Sequence, residues 1–197
     1  NVADPGGESR GVAWGDYDGD GDLDLYVAKL GANKLYRNSA GASFEDVGAA
    51  MLIDDGGNGH GIAWGDYDND GDLDLYQSDT GGQNRLFRND GVDFQNVAPA
   101  VGIVDSGPGQ GVAWGDFDND GFLDLYIARA GASLTNRLYQ NNGGSAFTEV
   151  SSGAQVADPS DSRGVAWGDF DNDGDLDLYV ANDGANRLYR NEGNNTF

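Results

Sequence analysis

Short apolar runs and polar turns succeed one another along the chain, and the same succession returns four times. Val12, Ala13 and Trp14, framed by Gly11 and Gly15, make a first run that is too short for a helix. A polar stretch of Asp and Gly follows, and then Leu23-Asp-Leu-Tyr-Val-Ala28 with Leu23, Leu25 and Val27 alternating on one face. Period two predicts a second strand. Lys29 to Ala32 reads as a turn, Asn33 to Asn38 as a third strand, Phe44 to Val47 as a fourth, and Gly48 to His60 as the loop into the next copy.

The third strand returns as Asn84-Arg-Leu-Phe-Arg-Asn89, Asn136-Arg-Leu-Tyr-Gln-Asn141 and Asn186-Arg-Leu-Tyr-Arg-Asn191. The fourth returns as Phe94-Gln-Asn-Val97 and Phe147-Thr-Glu-Val150, and begins again at Phe197. Trp14, Trp64, Trp114 and Trp167 mark the period, with spacings of 50, 50 and 53. Four-stranded units of this length are the sequence sign of an all-β propeller of antiparallel blades. One domain over 1–197 is expected, with repeats near 3–47, 48–97, 98–150 and 151–197. Asn1-Val2 has the character of the remainder of the strand that Phe197 begins. The two chain ends are therefore expected to meet in the terminal blade and close it. The tryptophans, always at one place in an apolar strand, are expected between blades.

Charge sharpens this picture. The formal net charge is −23, yet 19 of the 34 acidic residues sit in the four stretches between the first and second strands. They are Asp16, Asp18, Asp20, Asp22 and Asp24; Asp66, Asp68, Asp70, Asp72 and Asp74; Asp116, Asp118, Asp120 and Asp124; and Asp169, Asp171, Asp173, Asp175 and Asp177. Two like charges ~5 Å apart repel by roughly 3 kcal/mol at an effective dielectric near 20, so such clusters are unfavourable without a cation. Calcium takes six to eight hard oxygens, which short Asp side chains at alternate positions can supply. Gly21 permits the sharp turn. About four Ca2+ per chain are expected.

Side-chain oxygens are assigned to the first three Asp of each loop, and closure of the loop, with both oxygens, to Asp24, Asp74, Asp124 and Asp177. Asp22, Asp72 and Asp175 would offer a carbonyl, as Phe122 still can in the third copy. An EF-hand needs an acidic residue at loop position twelve, where Val27, Gln77, Ile127 and Val180 stand. Magnesium, which keeps its waters, suits so many protein ligands less well.

At these residues the chain resembles the FG-GAP (integrin-α-like, also VCBS) repeat family. The resemblance rests on Gly-Val-Ala-Trp-Gly-Asp-[Tyr/Phe]-Asp-x-Asp-Gly-x-Leu-Asp-Leu-Tyr followed by Asn-[Arg/Lys]-Leu-[Tyr/Phe]-[Arg/Gln]-Asn. It covers essentially the whole chain. It implies a calcium-stiffened β-propeller for adhesion or ligand recognition, extracellular or at the cell surface, with a protein or glycan ligand. The family's familiar propellers have seven blades and this chain has four repeats. They would close as a small ring, pair into an eight-bladed homo-oligomer or belong to a longer array.

Other features narrow the function. Eleven Lys and Arg without a basic run argue against nucleic acid. No apolar run reaches the ~18 residues of a membrane span. Without cysteine, thiolate metal sites and disulfides are excluded. One histidine and no unique constellation argue against an enzyme, a polysaccharide-acting one included. A structural unit of a cell-surface array or filament is the alternative to recognition.

Ligand candidates lie where the repeats diverge. Arg10, His60, Gln110 and Arg163 share one place before the innermost strand and are expected near the axis, opposite the calcium loops. Gln77, Asp79, Arg129 and Asp183 are expected to join them. Arg37, Arg88 and Arg190 are expected on the loop side, paired with its carboxylates or solvated. Asn194-Asn195-Thr196 matches the N-glycosylation pattern.

Overall fold

A computed structural model describes residues 6–41, 43–131 and 134–197. All regular structure among them is β. The first blade holds β1 (Ser9–Gly15), β2 (Asp24–Ala32), β3 (Lys34–Ser39) and β4 (Ser43–Asp46). The second holds β5 (Gly56–Gly65), β6 (Asp74–Asp79), β7 (Arg85–Asn89) and β8 (Phe94–Asn96). The third holds β9 (Gly109–Gly115), β10 (Asp124–Arg129), β11 (Arg137–Asn141) and β12 (Phe147–Glu149), and the fourth β13 (Ser162–Gly168), β14 (Asp177–Asn182) and β15 (Arg187–Tyr189). Every pairing is antiparallel, with the four strands of each complete blade joined in chain order.

The last blade has three strands, and Phe197 stands where Phe94 and Phe147 begin the fourth strand of their blades. Its N–H donates to Ala154 O, just as Phe94 N–H does to Met51 O and Phe147 N–H to Val101 O. Asn1 and Val2, the expected continuation, lie outside the described residues. Closure of a ring is not seen: Trp14 on the first blade and Phe170 on the last remain exposed.

The core lies between sheets, in three apolar clusters. Tyr26, Leu35 and Ile53 pack with Leu75, Phe87 and Phe94; Tyr76, Leu86 and Ile103 with Leu125 and Tyr139; Tyr126, Leu138 and Val156 with Leu178. A second strand sandwiched in this way is covered on both faces. All six residues of β6 and of β10 are buried, where alternation alone led us to expect one covered face. Each fully buried Leu of this kind contributes about 1.5–3 kcal/mol. Trp64, Trp114 and Trp167 pack against these clusters, as expected of residues between blades.

One pairing departs from the expected plan. Lys29 to Ala32 is not a turn, and the loop after Gly48 ends early. Leu30, Gly31 and Ala32 extend β2 and pair with Asn58, Gly57 and Gly56 of β5. The backbone groups of both segments find partners in each other, so the sheets of the first two blades are continuous.

Candidate metal centres

Each acidic stretch joins the first and second strands of its blade, and the pairs Gly15–Asp24, Gly65–Asp74, Gly115–Asp124 and Gly168–Asp177 close the four hairpins. The loop folds around its first Asp. Asp16 Oδ1 accepts from Asp20 N–H (3.1 Å) and Asp16 Oδ2 from Gly21 N–H (2.9 Å). Asp66, Asp116 and Asp169 hold the same two bonds. Asp20 Oδ1 then accepts from Asp22 N–H, as Asp120 Oδ1 does from Phe122 N–H. The turn needs two left-handed residues. Gly21, Gly71, Gly121 and Gly174 have φ of 92, 100, 90 and 95°. Two positions earlier stand Gly19, Asn69, Asn119 and Asn172, with φ of 58 to 68°, a region that only Gly and Asn or Asp visit easily.

These bonds turn carboxylates toward one another. Oxygens of Asp16, Asp18 and Asp24 lie within 4.8 Å of one another, as do those of Asp66, Asp68 and Asp70, of Asp116, Asp118 and Asp124, and of Asp169, Asp171 and Asp177. The donor set is hard oxygen throughout, and Asp68 Oδ1 is buried without a hydrogen-bond partner. Burial raises the Asp74 carboxyl to about 8 and that of Asp124 to about 7, against the pull of backbone hydrogen bonds. Burial also raises Asp24, and it raises Asp68 together with the nearby Asp70 charge. A divalent cation would relieve that cost, so the residues fit a calcium ion. Of the side chains expected to ligate, Asp20, Asp74, Asp120 and Asp173 lie outside these carboxylate groups, and Asp22, Asp72, Phe122 and Asp175 were expected to offer only a carbonyl. Asp175 instead accepts from Asn119 Nδ2 (2.7 Å), linking two neighbouring loops.

The last Asp of each loop has a second task that spacing does not reveal. Asp24 Oδ2 accepts from Tyr17 N–H (3.1 Å) and Oδ1 from Asn38 N–H (2.7 Å). Asp74, Asp124 and Asp177 make the equivalent pairs. This buried carboxylate ties the loop to the third strand with both of its oxygens. Two asparagines per repeat also act as ties. Asn33, Asn84, Asn136 and Asn186 accept from the N–H of Lys29, Asp79, Arg129 and Asn182, closing the second hairpin. Asn89, Asn141 and Asn191 reach back to the main chain of the preceding blade. Their recurrence at fixed positions was the available signal.

Arg37 pairs with Glu45 and Arg88 with Asp90, so neither is held by a loop carboxylate; Arg190 pairs with Glu192 and also reaches Asp171 at 3.8 Å.

At the other end of the blades stand Arg10, His60, Gln110 and Arg163. In each repeat the register slips here. Ser9 pairs with Lys29 and Gly11 with Ala28, which leaves Arg10 as the extra residue of a β-bulge. Gln110 and Arg163 are extra in the same way, and His60 lies within the slip between Gly59 and Ile62. Bulges re-aim side chains. Arg10 Nη1 meets His60 Nε2 at 2.8 Å, and Arg163 pairs with Asp161 and Asp183. Burial and then the Arg10 charge push the His60 pKa down. Of the residues expected to join them, Gln77 is a core residue instead. It is fully buried and accepts from Tyr26 Oη (2.6 Å) and Asn33 Nδ2. Asp79 and Arg129 are buried too, the latter beside Asp105 at 3.4 Å.

Sheets set side by side with hairpin loops at one end define a β-propeller-type repeat protein. The chain belongs to the FG-GAP-like repeat family, whose model matches residues 16–77, 76–127, 126–180 and 169–197. No curated protein matches the sequence. Among solved structures it is similar to an Agrocybe aegerita lectin described as recognising non-reducing terminal N-acetylglucosamine. That match has TM-score 0.59 and 18% identity, over 96% of this chain and 51% of the lectin. It is also similar to BBS1N, solved in complex with ARL6DN, with TM-score 0.51 and 14% identity over 92% of this chain and 56% of that one. The chain spans about half the length of each. Among the described residues no helix is long and apolar enough to cross a membrane.

Proposed function

We propose that this chain is a calcium-stiffened recognition module that works outside the cell or at its surface. The observation that carries the reading is the fourfold convergence of carboxylate oxygens within 4.8 Å. Asp16, Asp18 and Asp24 in the first loop, Asp66, Asp68 and Asp70 in the second, Asp116, Asp118 and Asp124 in the third, and Asp169, Asp171 and Asp177 in the fourth would hold the ion, which supplies positive charge and holds the hairpin in shape. Extracellular modules bind calcium with Kd of about 10⁻⁴–10⁻³ M, matched to the calcium around them. Chemistry on a substrate is not part of this reading.

Recognition falls to the bulged rim at the other end, where the side chains differ from repeat to repeat. A protein or a glycan would bind there. The fold shared with the Agrocybe aegerita lectin makes sugars the first class to screen. Native mass spectrometry with and without a chelator tests the metal reading, with four calcium ions per chain expected. A chain without bound metal at millimolar calcium overturns it. A glycan array probed with the calcium-loaded chain tests the second part. Binding lost on Gln110→Ala or Arg163→Ala supports the rim, and binding indifferent to both removes it. The second reading, a structural unit of a repeat array, draws on the fourfold repetition of one unit along the chain.

A further inference from the structure

The four acidic loops share their internal bonds and differ in their outside ones. In the second loop Asn69 stands between Asp68 and Asp70, and its Nδ2 donates to Gly121 O of the third loop at 3.0 Å. Asn119 holds the same place in the third loop, and its Nδ2 donates to the Asp175 carboxylate of the fourth at 2.7 Å. The first loop has Gly19 there, with no side chain to reach the second. The backbone is the same in all three, left-handed with φ of 68, 58 and 59° for Gly19, Asn69 and Asn119.

The acceptors belong to the part of each loop that its own aspartates hold. Gly121 gives its N–H to Asp116 Oδ2 and its carbonyl to Asn69, so one residue is gripped from two loops. Asp175 gives its N–H to Asp173 Oδ1 and follows Gly174, whose N–H goes to Asp169 Oδ2. A second route joins loops two and three. Asp124 Oδ1 accepts from Asn141 N–H and Asn141 Oδ1 from Gly144 N–H, and Gly144 lies on Asp68: a Cβ there would stand 2.9 Å from Asp68 Cα. Its counterparts Gly91 and Gly193 would meet only Asp72 and Asp175, each in its own blade. The bonds from Asn89, Asn141 and Asn191 to the preceding blade recur at all three blade contacts, so they do not set the loops apart.

We propose that loops two, three and four take up calcium as a linked set, with Asn69 and Asn119 as the links, and that loop one takes up its ion alone. The inference rests on the calcium reading above. Like charges within 4.8 Å repel when no cation lies among them, which favours spread arrangements of a loop. In a spread loop the asparagine and the glycine carbonyl lose their fixed places. Once Asp66, Asp68 and Asp70 are drawn together, Asn69 is fixed between them and holds Gly121 beyond. Linkage is reciprocal, so an ordered third loop favours the second by the same factor. One hydrogen bond of this kind is worth about two- to tenfold in affinity.

A calcium titration of the whole chain followed by amide NMR tests this. Gly21, Gly71, Gly121 and Gly174 each give an N–H to the first Asp of their own loop, so each amide reports one site. The Gly71, Gly121 and Gly174 signals should move together, over a narrower calcium range than that of Gly21. Asn69→Gly gives the second loop the residue that the first carries at the same φ, so the turn keeps its conformation. It should draw the Gly71 and Gly121 midpoints apart by about two- to tenfold in calcium, and Asn119→Gly should do so for Gly121 and Gly174. Four midpoints that neither variant shifts overturn the linkage and leave calcium in place. Calcium that moves none of the four amides removes the metal reading, and the linkage with it.

Discussion

The two ends of the blades follow opposite rules. At the hairpin end every repeat makes the same bonds: the first Asp gathers two N–H groups, the last Asp ties the loop to the third strand, and a glycine turns the corner. At the bulged end the register slips at the same place in every repeat, yet the residue there is Arg, His, Gln or Arg. The neighbouring position differs too: Lys29, Asp79 and Arg129 are buried there and Asn182 half-buried, and the four find different partners. A constant frame carries constant chemistry where shape is at stake. Chemistry changes where the frame only has to present a side chain.

Within the hairpin end, the largest effect separates the two tasks of the carboxylates. Asp74→Ala strands two buried N–H groups, those of Tyr67 and Asn89. Denaturant unfolding should show a loss of roughly 2–4 kcal/mol, in calcium and in chelator alike. A loss seen only in calcium would make Asp74 a ligand and nothing more. Asp68→Asn should do the reverse, lowering stability by about 1–2 kcal/mol in millimolar calcium and hardly at all in chelator. Equal losses in both would take Asp68 out of the metal group.

The bulged end should barely register in stability. Gln110→Ala and Arg163→Ala should stay within about 0.5 kcal/mol of the parent in unfolding titrations. A larger loss from either would move that residue from presentation to scaffold. The smallest effect is a pH dependence at His60. Its ring accepts from Arg10 as a neutral base, and its pKa lies below the ordinary 6.5 when folded. The unfolded chain therefore takes up the proton first. Stability from this contact is complete above pH 6.5 and is lost as pH falls through the folded value. The contact is partly exposed, so a melting series should show a decline below about 0.5 kcal/mol, flattened by His60→Gln.

Much of this architecture was legible from spacing. Leu25, Tyr36, Phe44 and their counterparts marked strands through local periodicity, and the Asp-Gly pattern marked the turn that Gly21 makes at a φ of 92°. Hydrogen bonds between distant positions were not legible. Asp24 meets Asn38 fourteen residues away, and nothing in either residue type announces the bond. Gln77 looked like a polar surface position, yet it hydrogen-bonds Tyr26 from a neighbouring blade. Closure depends on how far each sheet rotates past the last. Local patterning does not encode that angle, and Trp14 and Phe170 remain uncovered.

The pairing of Leu30–Ala32 with Gly56–Asn58 gives the molecule a grain. Blades one and two share a strand pairing, whereas among the described residues the third and fourth sheets pair with no neighbouring sheet and are tied to theirs by side chains and single main-chain bonds such as Asn136 N–H to Asp158 O. Pulled or warmed, such a row comes apart at its weakest seam first. Amide exchange should run early through the last sheet and late through the shared one. A chain nicked in the segment before β13 (157–161) would release its end while the first pair of sheets stayed whole.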